Sequence, residues 1–273
     1  MRTILFMMAT GCYLMGTIGY LVYLVRNLSL VHWVAWSFLA LGALAHGTGI
    51  VLQSFAVGHL AVTSSQEALS FFAWVLVATY LVVQLRLNLR ILGSFTAPLA
   101  VFFMLASSVI PTQIIPKSGI FQSAWVICHV TALFLANALF ALAFSAGVMY
   151  LLQERQIKQK HFGYLYHRLP SLERLDEINY YCLIVGFPLM TFGLLVGFTY
   201  AINIGQSIWQ WDPKEISAVV TWCIYAILLH ERLTVGWRGR RAAWMAILGF
   251  SAILITFLGV NLFSKGHYTR FVM

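Results

Sequence analysis

Long apolar runs, separated by short polar stretches, set the pattern of this chain. A membrane-crossing helix needs about 20 mostly apolar residues. Eight such runs are present, at roughly 4–25, 31–53, 66–85, 89–110, 122–152, 178–203, 215–232 and 242–263. The pattern predicts an all-α integral membrane protein, a bundle of about eight transmembrane helices forming one polytopic domain over residues 1–273. No internal repeat, low-complexity tract or linker divides it. The fifth run exceeds what a bilayer requires and is expected to tilt or project. The first run lacks the basic start and small-residue cleavage site of a signal peptide, so it reads as a retained helix.

Composition agrees: 61% of the residues are hydrophobic and 9% charged, against about 25% charged in soluble domains. The net charge of +9 does not mark a nucleic-acid binder, because the basic residues sit in the short connections. An even number of spans puts both termini on one side. The connections on the other side then hold Arg26, Arg86, Arg90, Arg155, Lys158, Lys160, Arg168, Arg174, Arg232, Arg238, Arg240 and Arg241, twelve against Arg2, Lys117, Lys214, Lys265 and Arg270. The positive-inside rule makes the protein N-out and C-out. The Ser54–Ser65, Pro111–Phe121 and Trp209 connections and the C-terminal tail are expected outside. Cys12, Cys128, Cys182 and Cys223 lie in apolar runs without a CxxC pair and read as small buried residues rather than metal ligands. His161 and His167 fall in the polar Gln153–Glu177 connection and read as solvated, and His59 as structural or solvated.

The run Gly205-Gln206-Ser207-Ile208-Trp209-Gln210-Trp211-Asp212-Pro213-Lys214-Glu215 places two indoles between two apolar runs. One reading is interfacial anchoring, since Trp is enriched at the headgroup level. Asp212 as N-cap, Pro213 at the first helical position and Glu215 three residues after the cap also form a good helix start. The other reading is a ligand platform. In an extended stretch Trp209 and Trp211 project to one face, and the helix start with Lys214 favours a carboxylate.

The same stretch resembles the tryptophan-rich WWD signature of the haem-handling proteins of cytochrome c biogenesis, the CcsA/ResC group, related to CcmC and CcmF. Leu169-Pro170-Ser171-Leu172 with Leu175-Asp176, Gly186-Phe187-Pro188, Trp222 to Arg232, Gly239 to Ala243 and Gly259-Val260-Asn261-Leu262 are similar to that family, as are Glu67 and Trp74. The resemblance covers about residues 60–270, with the signature at 204–215. One position departs: where the family carries a Trp before the first glycine, this chain has Ile204, so the platform is one indole smaller.

Ionisable residues inside a span are functional candidates by default, and histidine is the commonest imidazole ligand of haem iron. His129 lies near the outer end of the fifth run and His267 follows the eighth. The spans put both on the side of Trp209 and Trp211. The resemblance implies that they are the two axial ligands of haem b, with Arg270 as a propionate partner. His230 ends the seventh run, where a cation complements the helix dipole. The family has a histidine there too, associated with a haem site within the membrane. His46, beside Gly47 and Gly49, reads either as a core histidine bonded across helices or as a second member of that inner site.

The resemblance implies a membrane subunit of a system II-type cytochrome c haem-attachment machinery, holding haem on the outer face for thioether linkage to an apocytochrome c CxxCH segment. It implies a CcsB/ResB-type membrane partner and a plasma or thylakoid-type membrane. The residues themselves offer no Ser-His-Asp or paired-carboxylate arrangement placed for acid–base catalysis. Two other readings stand beside it: a HemX-like membrane regulator of haem synthesis, and a transporter, including a haem exporter without attachment activity. A transporter is expected to break a helix near the midplane, and Gly186-Phe187-Pro188 is the place to look for the break.

Overall fold

In hydrocarbon every backbone N–H and C=O must be paired within its own segment, and each apolar run here becomes a helix. The computed structural model describes residues 2–111, 122–160, 163–204 and 213–263. Its helices are α1 (Arg2–Arg26), α2 (Ser29–Val57), α3 (Ser65–Leu87), α4 (Gly93–Val109), α5 (Ala124–Lys158), α6 (Leu172–Asn203), α7 (Pro213–His230) and α8 (Arg240–Phe263). A 3-10 turn, Arg90–Leu92, leads into α4, and a π turn, Glu231–Val235, follows α7. Among the described residues there is no strand, and α1 to α7 are each long and apolar enough to cross a membrane.

Polar side chains set the helix ends. Ser64 accepts from the Glu67 N–H while Glu67 reaches back to the Ser64 backbone, a complete capping box at the start of α3. Ser171 accepts from the Arg174 N–H at 3.3 Å and starts α6 six residues before the apolar run expected at 178. The charged stretch Glu173 to Glu177 is therefore helical. At 35 residues, α5 is about 52 Å long at 1.5 Å per residue, well beyond the about 30 Å hydrocarbon core.

The helices pack chiefly as consecutive hairpins, α1 on α2, α3 on α4, α5 on α6 and α7 on α8, and α5 also packs against α3 and α8. Alternating directions give the bundle two ends. The first end holds the start of α1, the α2–α3 connection, the start of α5, the end of α6 and the start of α7. The second holds the α1–α2, α3–α4, α5–α6 and α7–α8 connections. In the core, the Phe140 ring of α5 stacks on Tyr225 of α7 at 3.6 Å, and Trp222 of α7 donates to Thr191 Oγ1 of α6 at 2.9 Å. Large apolar side chains such as Leu44, Phe55, Val109, Leu195 and Leu248 are exposed, as expected where lipid replaces water.

Two expectations change here. Of the four cysteines only Cys182 is buried; Cys12 is half-buried, and Cys128 and Cys223 are exposed. An apolar solvent removes the drive that buries a small apolar side chain in a water-soluble protein. The second concerns Gly186-Phe187-Pro188: α6 runs through it without interruption. The midplane break expected of a transporter is absent there.

Candidate functional site

His129 stands one and a half turns into α5, half-buried, and its ring lies against α6. Nδ1 is 2.6 Å from the carbonyl oxygen of Gly193. A carbonyl only accepts, so Nδ1 carries the proton and the neutral ring presents Nε2 as a bare lone pair. Metal-ligating histidines are commonly held this way, one ring N–H on a backbone carbonyl and the other nitrogen turned to the metal. No partner occupies Nε2 among the described residues. The described part of this site therefore fits an imidazole ligand for haem iron.

The other residues expected beside it, Trp209, Trp211, Asp212, His267 and Arg270, lie outside the described residues. Their stretches join the chain at the end of α6, the start of α7 and the end of α8, which are all at the end where α5 begins. Ile204, in the position of the family's extra tryptophan, caps α6 and is exposed.

His46 is in a different situation. It is buried, with Nε2 2.8 Å from Ser70 Oγ of α3 and Nδ1 3.3 Å from the Tyr13 hydroxyl of α1. Both nitrogens are used in tying three helices together. A cavity of about 280 Å³ lies beside it, lined by Thr3, Phe6, Gln53, Gln66 and Glu67. Glu67 there accepts from Gln53 and from the Thr63 and Ser64 backbone, and Trp74 donates to the Ala43 carbonyl at 2.9 Å. The Glu67 and Trp74 of the family pattern thus hold the α2–α3 hairpin. His59 is also buried, with Nδ1 3.0 Å from the Leu60 carbonyl oxygen. His167 is exposed, and His161 lies outside the described residues.

His230 is the last residue of α7, exposed, at the second end. The structure does not bring it to His46, because α2 packs on α1 and α3 while α7 packs on α6 and α8. Directly after His230, Arg232 forms a bidentate ion pair with Asp176 at 2.8 and 2.6 Å and donates to the Trp237 carbonyl at 2.9 Å. Asp176 also accepts from the Gly239 N–H at 2.7 Å, and the guanidinium lies 5.2 Å from the Tyr180 ring centroid. Three separate stretches of the family resemblance meet in this clamp.

Sequence reasoning missed the clamp and His32. His32 is fully buried near the second end, packed between Tyr20 and Tyr23, with Nε2 3.3 Å from Gln84 Nε2. The signal for His32 was available, an ionisable residue at the edge of an apolar run. Asp176 and Arg232 both lay in stretches of the family resemblance, but nothing in the sequence paired them across 56 positions. Among the described residues no cluster of three or more His, Cys, Asp or Glu is placed to hold a metal ion.

The family described as "Cytochrome C assembly protein" matches residues 62–267. The chain is 30% identical to the cytochrome c biogenesis protein CcsA of Guillardia theta over 228 residues, 77% of this chain and 76% of that one. It is 28% identical to CcsA of Pyropia yezoensis, covering 87% and 91%. It is 29% identical to CcsA of Synechococcus elongatus, covering 77% and 78%. Among solved structures, the cytochrome c heme lyase CcmF superposes with a TM-score of 0.65 at 13% identity, over 98% of this chain and 51% of that chain. That likeness is one of fold, and this chain spans about half of CcmF.

Proposed function

This chain belongs to the cytochrome c assembly protein family as a multi-pass membrane protein of cytochrome c biogenesis, and we propose that it binds haem b as a substrate and presents it for attachment to apocytochrome c. The observation that carries this reading is His129, whose Nδ1 is spent on the Gly193 carbonyl and whose Nε2 has no partner among the described residues, at the end of the bundle where α6 ends and α7 starts. His129 and His267 fill the iron's two axial positions, which discourages oxygen chemistry. Trp209 and Trp211 hold the ring face, with Asp212 starting the next helix and Arg270 on a propionate. The haem supplies the vinyl groups to which the two thiols of a CxxCH segment add. The chain's own contribution is positioning.

This end faces outward by the twelve-to-five distribution of Lys and Arg. The membrane is a plasma or thylakoid-type membrane, and a CcsB/ResB-type subunit works beside the chain. His230, at the opposite end, is the entry-side ligand candidate. His46 is assigned a structural role, because ligation would break one of its two cross-helix contacts.

Absorption spectra of the detergent-purified protein, reduced and oxidised, test the reading. A low-spin two-histidine haem b spectrum that disappears in His129→Ala or His267→Ala is expected. A wild-type protein that stays colourless when co-expressed with its partner would leave the HemX-like regulatory role or export of another substrate.

A further inference from the structure

The notch that seats the His129 ring is built from two glycines one turn apart on α6, Gly193 and Gly197. They form a small-xxx-small pair of the kind that lets two membrane helices approach closely. α5 and α6 are the most extensively packed pair of helices in the bundle. A Cβ built on Gly193 meets the Leu133 side chain, one turn further along α5, at 2.9 Å. A Cβ built on Gly197 meets Cε1 and Nδ1 of the His129 ring at 2.5 Å. Real Cβ atoms do not stand that close, so the ring keeps its place only because residue 197 has no side chain.

The same glycine pair sets the ring's chemistry. In an α-helix the carbonyl of residue 193 already accepts from the N–H of residue 197. A carbonyl oxygen has a second lone pair, and the His129 Nδ1–H reaches it at 2.6 Å. A side chain on residue 197 would occupy the space through which the imidazole reaches that lone pair.

We propose that Gly193 and Gly197 are the positioning residues of the iron-ligand site: the Gly193 carbonyl fixes the tautomer and ring plane of His129, and the bare Gly197 makes room for the ring, so that Nε2 is presented in one orientation. This rests on the reading of His129 as an axial ligand. It adds that the ligand's basicity is set by α6. A short hydrogen bond from Nδ1–H to a carbonyl raises the electron density on Nε2 and strengthens its hold on iron, which lowers the reduction potential of the bound haem.

Gly197→Ala tests the proposal. Alanine is the better helix former, so the variant is expected to insert. Its ring must turn away from Gly193. The bound haem is expected to shift from low-spin to a mixture with high-spin, its midpoint potential to rise, and added imidazole to restore the low-spin spectrum. In the haem-free protein, ¹⁵N NMR of His129 is expected to show a single Nδ1-protonated tautomer in wild type and a tautomer mixture in Gly197→Ala. Gly186→Ala serves as the control. Its Cβ would press on Phe140 at 2.6 Å in the same helix, away from His129, so it disturbs packing and is expected to leave the spectrum, the potential and the tautomer as in wild type. If Gly197→Ala keeps all three while His129→Ala loses the low-spin spectrum, the positioning claim fails alone. A wild-type spectrum in His129→Ala would instead remove the ligand reading on which it rests. A shift in Gly186→Ala equal to that in Gly197→Ala would reduce the notch to general helix packing.

Discussion

His129 and His46 are both histidines inside apolar helices, and they are used in opposite ways. His46 spends both nitrogens on protein partners, Ser70 and Tyr13, and is buried among α1, α2 and α3. His129 spends one nitrogen on a backbone carbonyl and, among the described residues, keeps the other bare. A histidine in hydrocarbon must satisfy its polar atoms, and it can do so by cross-linking helices or by waiting for a ligand. The number of nitrogens already engaged separates the two.

The largest expected effect comes from removing the proposed ligand. His129→Ala is expected to lose bound low-spin haem and the maturation of cytochrome c. The contrast between the two histidines collapses if maturation stays at the wild-type level. The second effect is on stability. Asp176→Ala leaves the Arg232 guanidinium without its counter-ion and the Gly239 N–H without its acceptor in a mostly buried clamp. It is expected to cost about 3 kcal/mol, the lower end of the range for broken buried pairs, because the site sits at the end of the bundle. Thermal unfolding in detergent reads that loss, while the haem spectrum of the first end is expected to survive. A lost spectrum at full stability would mean the two ends act as one site.

Third, His46→Ala removes two cross-helix contacts, each worth about 0.6 kcal/mol by the average for membrane helices, and opens space beside Tyr13. A lower unfolding temperature with an unchanged haem spectrum is expected. An altered spectrum would place His46 among the ligands after all. The smallest effect concerns the proposed tryptophan platform. Ile204 is exposed at the cap of α6, so Ile204→Trp displaces no core residue. It is expected to tighten haem binding a few-fold, which is under about 1 kcal/mol, measured by haem titration. Weaker binding would mean that the smaller platform suits the ligand better as it is.

Much of this molecule was readable residue by residue. All eight apolar runs became helices. His129 was legible as a candidate through its place in the fifth run and its family pattern, although Gly193 and Gly197, which seat it, lie more than 60 positions away. The charged start of α6 was missed because the apolar pattern ends where charge begins, while the helix hydrogen bonds continue. The cysteines were misjudged because burial of small residues is a rule of water-soluble cores.

Periodicity, length and apolar content follow from the order of residues along the chain, and they decided the class, the number of helices and the end of the bundle to which each candidate belongs. Which nitrogen of which histidine stays free, and which carboxylate meets Arg232, depend on groups brought together from distant helices. Those contacts are short-ranged and directional, so only the packed bundle could settle them.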